Sequence, residues 1–423
     1  MATVFGLCLP GGAHAAWAPG GALPGLGPGR IWSVAFDPAH PAVALAATDR
    51  GVYRSTDAGA TWQTTSLQSG RIWVVGFDLR APHAVFAGSE GHGLLRSDDD
   101  GQSWVDSSSG LTARTVRALA FGASAIVAGT NSGVALSADG RLWRGAGLAG
   151  ADVSAVGVSA NAPQLGLLAG VDGGIEQGFL FRSTSAGDRW EALSNGLPSS
   201  AVVSAIAVGP LPAATQVRPV LATTNAGVYR TGDGGTNWTK TYPPNSPEAP
   251  PGTFTAAAFS PVDPNLVYAG DDAGGSGGGT LMRSLDGGNS FAALEQGLPS
   301  ATHNVGALAV TPTEPPTVMA ALDPPGAGGL IFVEVDTTAP SPAPTGQPEV
   351  ALALPSVTPA APATARPTAP PSVAPAGESG IRRAAGAVLH WPLPLAAEVL
   401  GILVVAYAVI TWRQRRLDIE GPP

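Results

Sequence analysis

The sequence predicts an all-β fold: a seven-bladed β-propeller whose N-terminal strand closes the last blade, followed by a disordered Pro-rich stalk and one transmembrane helix. Three observations carry this expectation. A short motif recurs at the period of a four-stranded blade, seven nearly all-apolar segments recur with it, and the composition suits short strands joined by tight turns. Charged residues make up only 13% of the 423, while Gly (57) and Pro (40) are abundant. That balance favours turns and linkers over long surface helices.

The motif SxDxGx(T/S)W stands at 55–62 (STDAGATW) and 97–104 (SDDDGQSW). Variants follow at 137–143 (SADGRLW, one residue short), 183–190 (STSAGDRW, with Ser185 in place of Asp), 231–238 (TGDGGTNW) and 284–291 (SLDGGNSF). Their first residues lie 42, 40, 46, 48 and 53 apart, the spacing of propeller blades. The Asp carboxylate can accept backbone N–H groups of its own turn, the Gly two residues on can take a positive φ, and the Trp can pack between sheets. Asp57, Asp99, Asp139, Asp233 and Asp286 are therefore expected to be structural turn locks and not catalytic acids.

Before each motif runs a third strand, such as GVYRS (51–55) or GLLRS (93–97), and before that a second, such as VALAAT or AIVAGT. The first strand of each unit is almost wholly apolar, as a strand buried on both faces near an axis must be. Seven such strands are expected, at 31–36, 72–77, 116–121, 153–158, 203–208, 254–259 and 305–310. The seventh unit has second and third strands near 317–322 and 329–335 but no motif and no outer strand. The stretch around Trp17 (AAWAPGGALPG) resembles the outer segments WEALSNGLPS and FAALEQGLPS, so the N-terminus is expected to close the ring and remove its free edges.

The motif and the GVYRSTDAGATW phrase resemble the BNR/Asp-box repeats of sialidases, xyloglucanase-type glycoside hydrolases, sortilin-like receptors and photosystem II assembly factors, over about residues 16 to 335. The resemblance implies the propeller fold but several different activities. It also implies that ligands sit where outer strands hand over to the next inner strand, with the boxes on the opposite face. A sialidase-like site would need an arginine triad and a Tyr–Glu pair; Tyr242 and Glu248 share one long loop, but a FRIP-like start is lacking and the blades number seven instead of six. Xyloglucanase-type enzymes set a carboxylate pair between two propellers, and this chain has one. Asp37 and Asp263 recur at first-to-second strand turns and are read as turn formers.

On the handover side, Arg30, Arg71 and Arg114 precede the first three inner strands and are candidates for an arc that takes a carboxylate or other anion. Trp32 and Trp73 can stack on a sugar or pack the core. No metal or cofactor is expected: the only cysteine is Cys8, and the run Asp98, Asp99, Asp100 lacks the spaced ligands and following Glu of a calcium loop. GSGGG at 275–279 reads as a flexible hairpin loop. A net charge of −9 with Lys240 as the single lysine argues against nucleic acid, which needs a basic face.

The expected organisation is a signal-peptide remnant at 1–15, the propeller at 16–336, the stalk at 337–392, a membrane helix at 393–412 and a cytoplasmic tail at 413–423. The start has an apolar run and an Ala13-His14-Ala15 cleavage-like triplet, the stalk is rich in Pro, Ala and Thr, and 394–412 is apolar over nearly the length that crosses a bilayer. Arg413, Arg415 and Arg416 after the span favour a cytoplasmic C-terminus and a propeller outside the cell membrane. The expected function is a binding or scaffolding module for a protein or glycan partner; a surface glycoside hydrolase or sialidase-like enzyme is the alternative.

Overall fold

The computed structural model describes residues 16–161, 165–175, 178–198, 201–243, 253–272, 281–299, 304–324 and 328–340. All of them belong to the first of two compact units, 1–357 and 358–423. The leader, most of the stalk, the apolar span at 394–412, the tail, Glu248 and the GSGGG loop lie outside the described residues. No helix among the described residues is long and apolar enough to cross a membrane.

The described residues fold into seven four-stranded antiparallel sheets. In the first blade Ile31–Phe36, Ala44–Thr48, Gly51–Ser55 and Gln63–Thr64 follow one another outward. The other inner strands are Ile72–Phe77, Val116–Phe121, Asp152–Asn161, Val203–Val208, Thr253–Phe259 and Asn304–Val310. Every expected inner strand is present; the fourth is longer because Asp152 pairs with Asp172 and Asn161 with Leu165. Consecutive inner strands pack on each other, and the first packs on the last.

Closure is as the Trp17 segment implied. Ala18 pairs with Val333 and Pro19 with Phe332, and Trp17, 3% exposed, donates its indole N–H to the Leu294 carbonyl. Trp17 precedes its outer strand as Trp62 precedes Gln63, so the boxless blade receives its box tryptophan from the other end of the chain.

The core is divided among the blade interfaces. Each of the seven apolar clusters joins two neighbouring blades; one sets Leu45 and Val52 against Ile72 and Val85, another Phe86 against Val116 and Trp143. The second strands, such as ALAAT and VLATT, are buried along their whole length. Their burial removes apolar area from water, the main favourable term in folding.

The blades are also tied by arginines. The residue before the end of the third strand is Arg54, Arg96, Arg182 or Arg230, and each donates to a box-loop carbonyl of the next blade: Asp100, Asp139, Gly234 and Gly287, at 2.7 to 3.0 Å. In the third blade that position is Leu136, and its cross-strand partner Arg144 reaches Ala186 O instead. The seventh blade has no box, so Arg283 of the sixth meets the buried carboxylate of Asp336 in place of a box carbonyl, at 2.6 Å. The same position in the seventh blade holds Glu334, 2% exposed, whose Oε2 has no hydrogen-bond partner.

Candidate functional site

In all seven blades the pairing of inner and second strand slips at the same place: between Ile31 and Ser33, Ile72 and Val74, Val116 and Ala118, Val153 and Ala155, Val203 and Ala205, Phe254 and Ala256, and Val305 and Ala307. The skipped residues are Trp32, Trp73, Arg117, Ser154, Ser204, Thr255 and Gly306. A bulge re-aims the side chain it carries. These seven line one cavity of about 300 Å³ along the inner strands. The bulges lie at the start of each inner strand, so they form the mouth of the channel on the handover face.

Blades one to three fill their side with a stack. The Arg30 guanidinium lies 4.6 Å from the Trp32 ring centre; Arg71 lies 5.1 Å from Trp32 and 4.8 Å from Trp73; Arg117 lies 5.1 Å from Trp73. The two indoles are 4.6 Å apart. Each such cation–π contact contributes about 0.5 to 2 kcal/mol, enough to hold a half-exposed tryptophan in place. Blades four to seven set small residues at the same ring position.

A second column surrounds the first. The second-strand residue that pairs with the first residue of the inner strand, or the residue after it, is Asp49, Glu90, Asn131, Asp172, Asn225, Asp272 and Asp323 in turn. Asp49 accepts the Arg30 backbone N–H at 2.9 Å, the Trp32 indole at 2.9 Å and Arg71 Nε at 2.7 Å. Burial works against its charged form, yet these donors outweigh it and hold the carboxyl below its ordinary range. Asp323 accepts Arg30 Nε at 2.8 Å; burial raises its carboxyl, and Arg30 only partly offsets this. Arg71 also meets Glu90 at 3.2 Å, and Arg117 meets Asp152 at 2.7 Å.

The structure thus brings Arg30, Trp32, Arg71 and Trp73 together, with Arg117 as the third cation. Arg114 is exposed and makes none of the stack's contacts; its carbonyl accepts the Gly93 N–H at the rim. Sequence reasoning took the arginines just ahead of the inner strands and missed Arg117 inside one. Reading the second residue of each inner strand as a column would have found it. The arginines of the stack are paired with carboxylates. Tyr242 packs edge-on to Phe254 and Phe291 at the fifth and sixth blades.

The boxes lie at the other end of the sheets, since Ser55 pairs with Ala44 while Thr48 pairs with Gly51. Asp57 accepts Ser55 Oγ, Thr61 N and Thr61 Oγ1 at 2.6 to 2.8 Å, and Ser55 Oγ in turn accepts Gly59 N. Asp99, Asp233 and Asp286 repeat this pattern, and the shortened box still aims Arg141 N and Leu142 N at Asp139. In the Asp-less box Ser185 Oγ accepts Arg189 N. Burial is the largest single influence on Asp99, Asp139, Asp233 and Asp286 and disfavours their charge, but the hydrogen bonds together outweigh it and hold these carboxyls below their ordinary range. At Asp57 the bonds from Thr61 lead, with the same result. Asp37 and Asp263 each accept the N–H two residues on, as turn formers do. No group of His, Cys, Asp and Glu that could hold a metal occurs among the described residues.

No protein-family model matches the chain, and no curated protein does. Solved structures do match. The GH74 xyloglucanase from Xanthomonas campestris is similar with a TM-score of 0.57 and 19% identity, over 78% of this chain and 54% of that one; this chain spans about half that enzyme's length. YCF48 from Cyanidioschyzon merolae is similar with a TM-score of 0.52 and 18% identity, over 77% of this chain and 99% of that one. A structure of YCF48 bound to D1 peptide gives 0.54 and 19% over the same shares. At these identities the likeness shows the fold, and the described residues form a seven-bladed β-propeller.

Proposed function

We propose that this propeller is a binding module whose partner, a segment of protein or glycan, docks over the channel mouth on the handover face. One observation carries the reading: the same bulge in all seven blades sets seven residues in a single ring around one cavity. Such a concave site, with two indoles on one side and convergent polar groups around it, suits recognition. Trp32 and Trp73 form its wall, and Arg30 and Arg71 fix them. A propeller of similar fold is known bound to a peptide, which supports a protein partner. The leader-like start, the stalk and the apolar span support a placement outside the cell membrane on a single C-terminal anchor.

The test is to screen the full-length protein on peptide and glycan arrays and rescreen two variants. Trp73→Ala is expected to lose the selected ligand, and Asp57→Ala to retain it in the folded fraction. Equal binding by the Trp73→Ala protein would overturn the site. A reporter fused after Pro423 is expected to be active only in the cytoplasm; activity outside would reverse the topology.

The hydrolase reading rests on Asp49 and Asp323, two carboxylates at the mouth held in opposite protonation tendencies around Arg30. Against it, Asp323 Oδ1 is sealed from solvent, so that group is poorly placed to reach a glycosidic oxygen. Glycan cleavage by the purified protein, abolished in Asp49→Asn, would establish it.

A further inference from the structure

The channel mouth is lopsided in size, in hydrogen-bonding character and in charge. At the bulge position blades one to three carry Trp32, Trp73 and Arg117, while blades four to seven carry Ser154, Ser204, Thr255 and Gly306, so the open space lies on the second side. Ser154 Oγ donates to Val203 O at 2.8 Å and Thr255 Oγ1 to Val305 O at 2.5 Å, each across a blade interface. A hydroxyl has one proton and two lone pairs. With the protons spent on neighbouring carbonyls, these two groups can only accept from anything in the channel.

Gly306 is the ring member without a side chain. A Cβ built there would lie 3.3 Å from Asp323 Oδ2, so the carboxylate stands behind the place that a side chain would fill. Asp323 is 9% exposed, and its Oδ1 has no hydrogen-bond partner. Around the ring the described side chains include Asp49, Glu90, Asp152, Asp172 and Asp323 against the guanidiniums of Arg30, Arg71 and Arg117. All three cations belong to blades one to three.

We infer that the side of the mouth formed by blades four to seven is a socket for a cationic side chain, a lysine or arginine on an extended stretch of a protein partner. This rests on the reading of the mouth as the binding surface and adds the chemistry of what enters it. Two hydroxyls committed as acceptors, an excess of carboxylate and a cavity of about 300 Å³ select a slender donor. An anion would gain little from the cations opposite, since those arginines are paired. The stack of Trp32 and Trp73 forms the far wall.

The experiment uses fluorescence anisotropy of three labelled octapeptides, repeats of Gly-Lys, Gly-Gln and Gly-Glu, with the full-length protein at low salt. The Gly-Lys peptide is expected to bind and the other two to fail. Ser204→Lys, which puts an ammonium into the socket, and Asp172→Asn, at the exposed rim, are expected to weaken it, the first on the order of tenfold or more, as loss of charge-assisted contacts implies. Ser204→Ala is expected to match the parent. Asp172→Asn keeps the test decisive if Ser204→Lys does not fold. Preference for Gly-Glu, lost in Trp73→Ala, would overturn the cationic socket while leaving the mouth as the binding surface. Retention of none of the three peptides, or Gly-Lys binding untouched by both charge variants, would overturn it as well, and the array screen then decides the broader reading separately.

Discussion

Glu334 offers the sharpest check on how the ring closes. It occupies the position where other blades carry a linking arginine, it is 2% exposed, and Oε2 has no partner. Arg283, whose charge reaches it, is committed to Asp336. Burial, with the Asp336 charge adding to it, pushes the Glu334 carboxyl from 4.5 up to about 7. The sign follows from linkage. Below pH 4.5 folded and unfolded chains both hold the proton, and the group costs nothing. As pH rises toward 7 the unfolded chain releases it and the folded chain does not, so stability falls, by about 3 kcal/mol in all. Glu334→Gln keeps the shape of the neutral form and removes the titration. In thermal unfolding between about pH 4 and 8 the parent is therefore expected to lose about 6 °C relative to the variant, at roughly 2 °C per kcal/mol for a propeller of this size. Parallel melting curves across that range would show that Glu334 is solvated or paired in solution and would refute the reasoning.

Three further outcomes are expected. Ser185→Asp should restore the missing carboxylate of the fourth box and raise the denaturation midpoint, by about 1 kcal/mol for the gained hydrogen bonds; no change would mean that the hydroxyl already suffices. Deleting residues 1–22 should leave Leu330–Val335 as an open edge and produce aggregation visible by light scattering; a monomer of unchanged stability would dismiss closure. Gly196→Ala should lower the melting temperature, because φ there is +84° and a Cβ would lie 1.8 Å from Trp238 O; the cost is on the order of 1 to 2 kcal/mol for the left-handed backbone before any clash, and a neutral result would show that the turn relaxes.

Much of the scaffold was legible because it repeats. The 31–36 and 203–208 strands match the expectation residue for residue, since an axial strand must be apolar on both faces, and Trp17 announced the closing strand by its likeness to other outer segments. The site was less legible. Trp32 and Trp73 were found because large aromatics stand out, but whether a strand residue faces the channel depends on a bulge, and a bulge is a matter of register that no single residue type signals. The polar column from Asp49 to Asp323 was present in the sequence, yet each member looks like an ordinary turn residue until the blades are superposed. The linking role of Arg54 and Arg96 carries no sequence signal, because their acceptors are backbone carbonyls of the next blade.

The closing strand also sets an order in time. Ala18 pairs with Val333 across all the blades between them, the longest sequence separation of any strand pairing among the described residues, so this pairing is expected to form late. Every inner pairing is a hairpin between neighbours in sequence and can form as the chain emerges, whereas this contact must close nearly the whole ring. The entropy of such a loop grows only slowly with its length, so the penalty falls on rate more than on final stability. A circular permutant that joins the Trp17 segment directly after residue 336 and opens the chain between two other blades would turn the seal into one more local hairpin. It would keep the same circle of blades while losing the long wait.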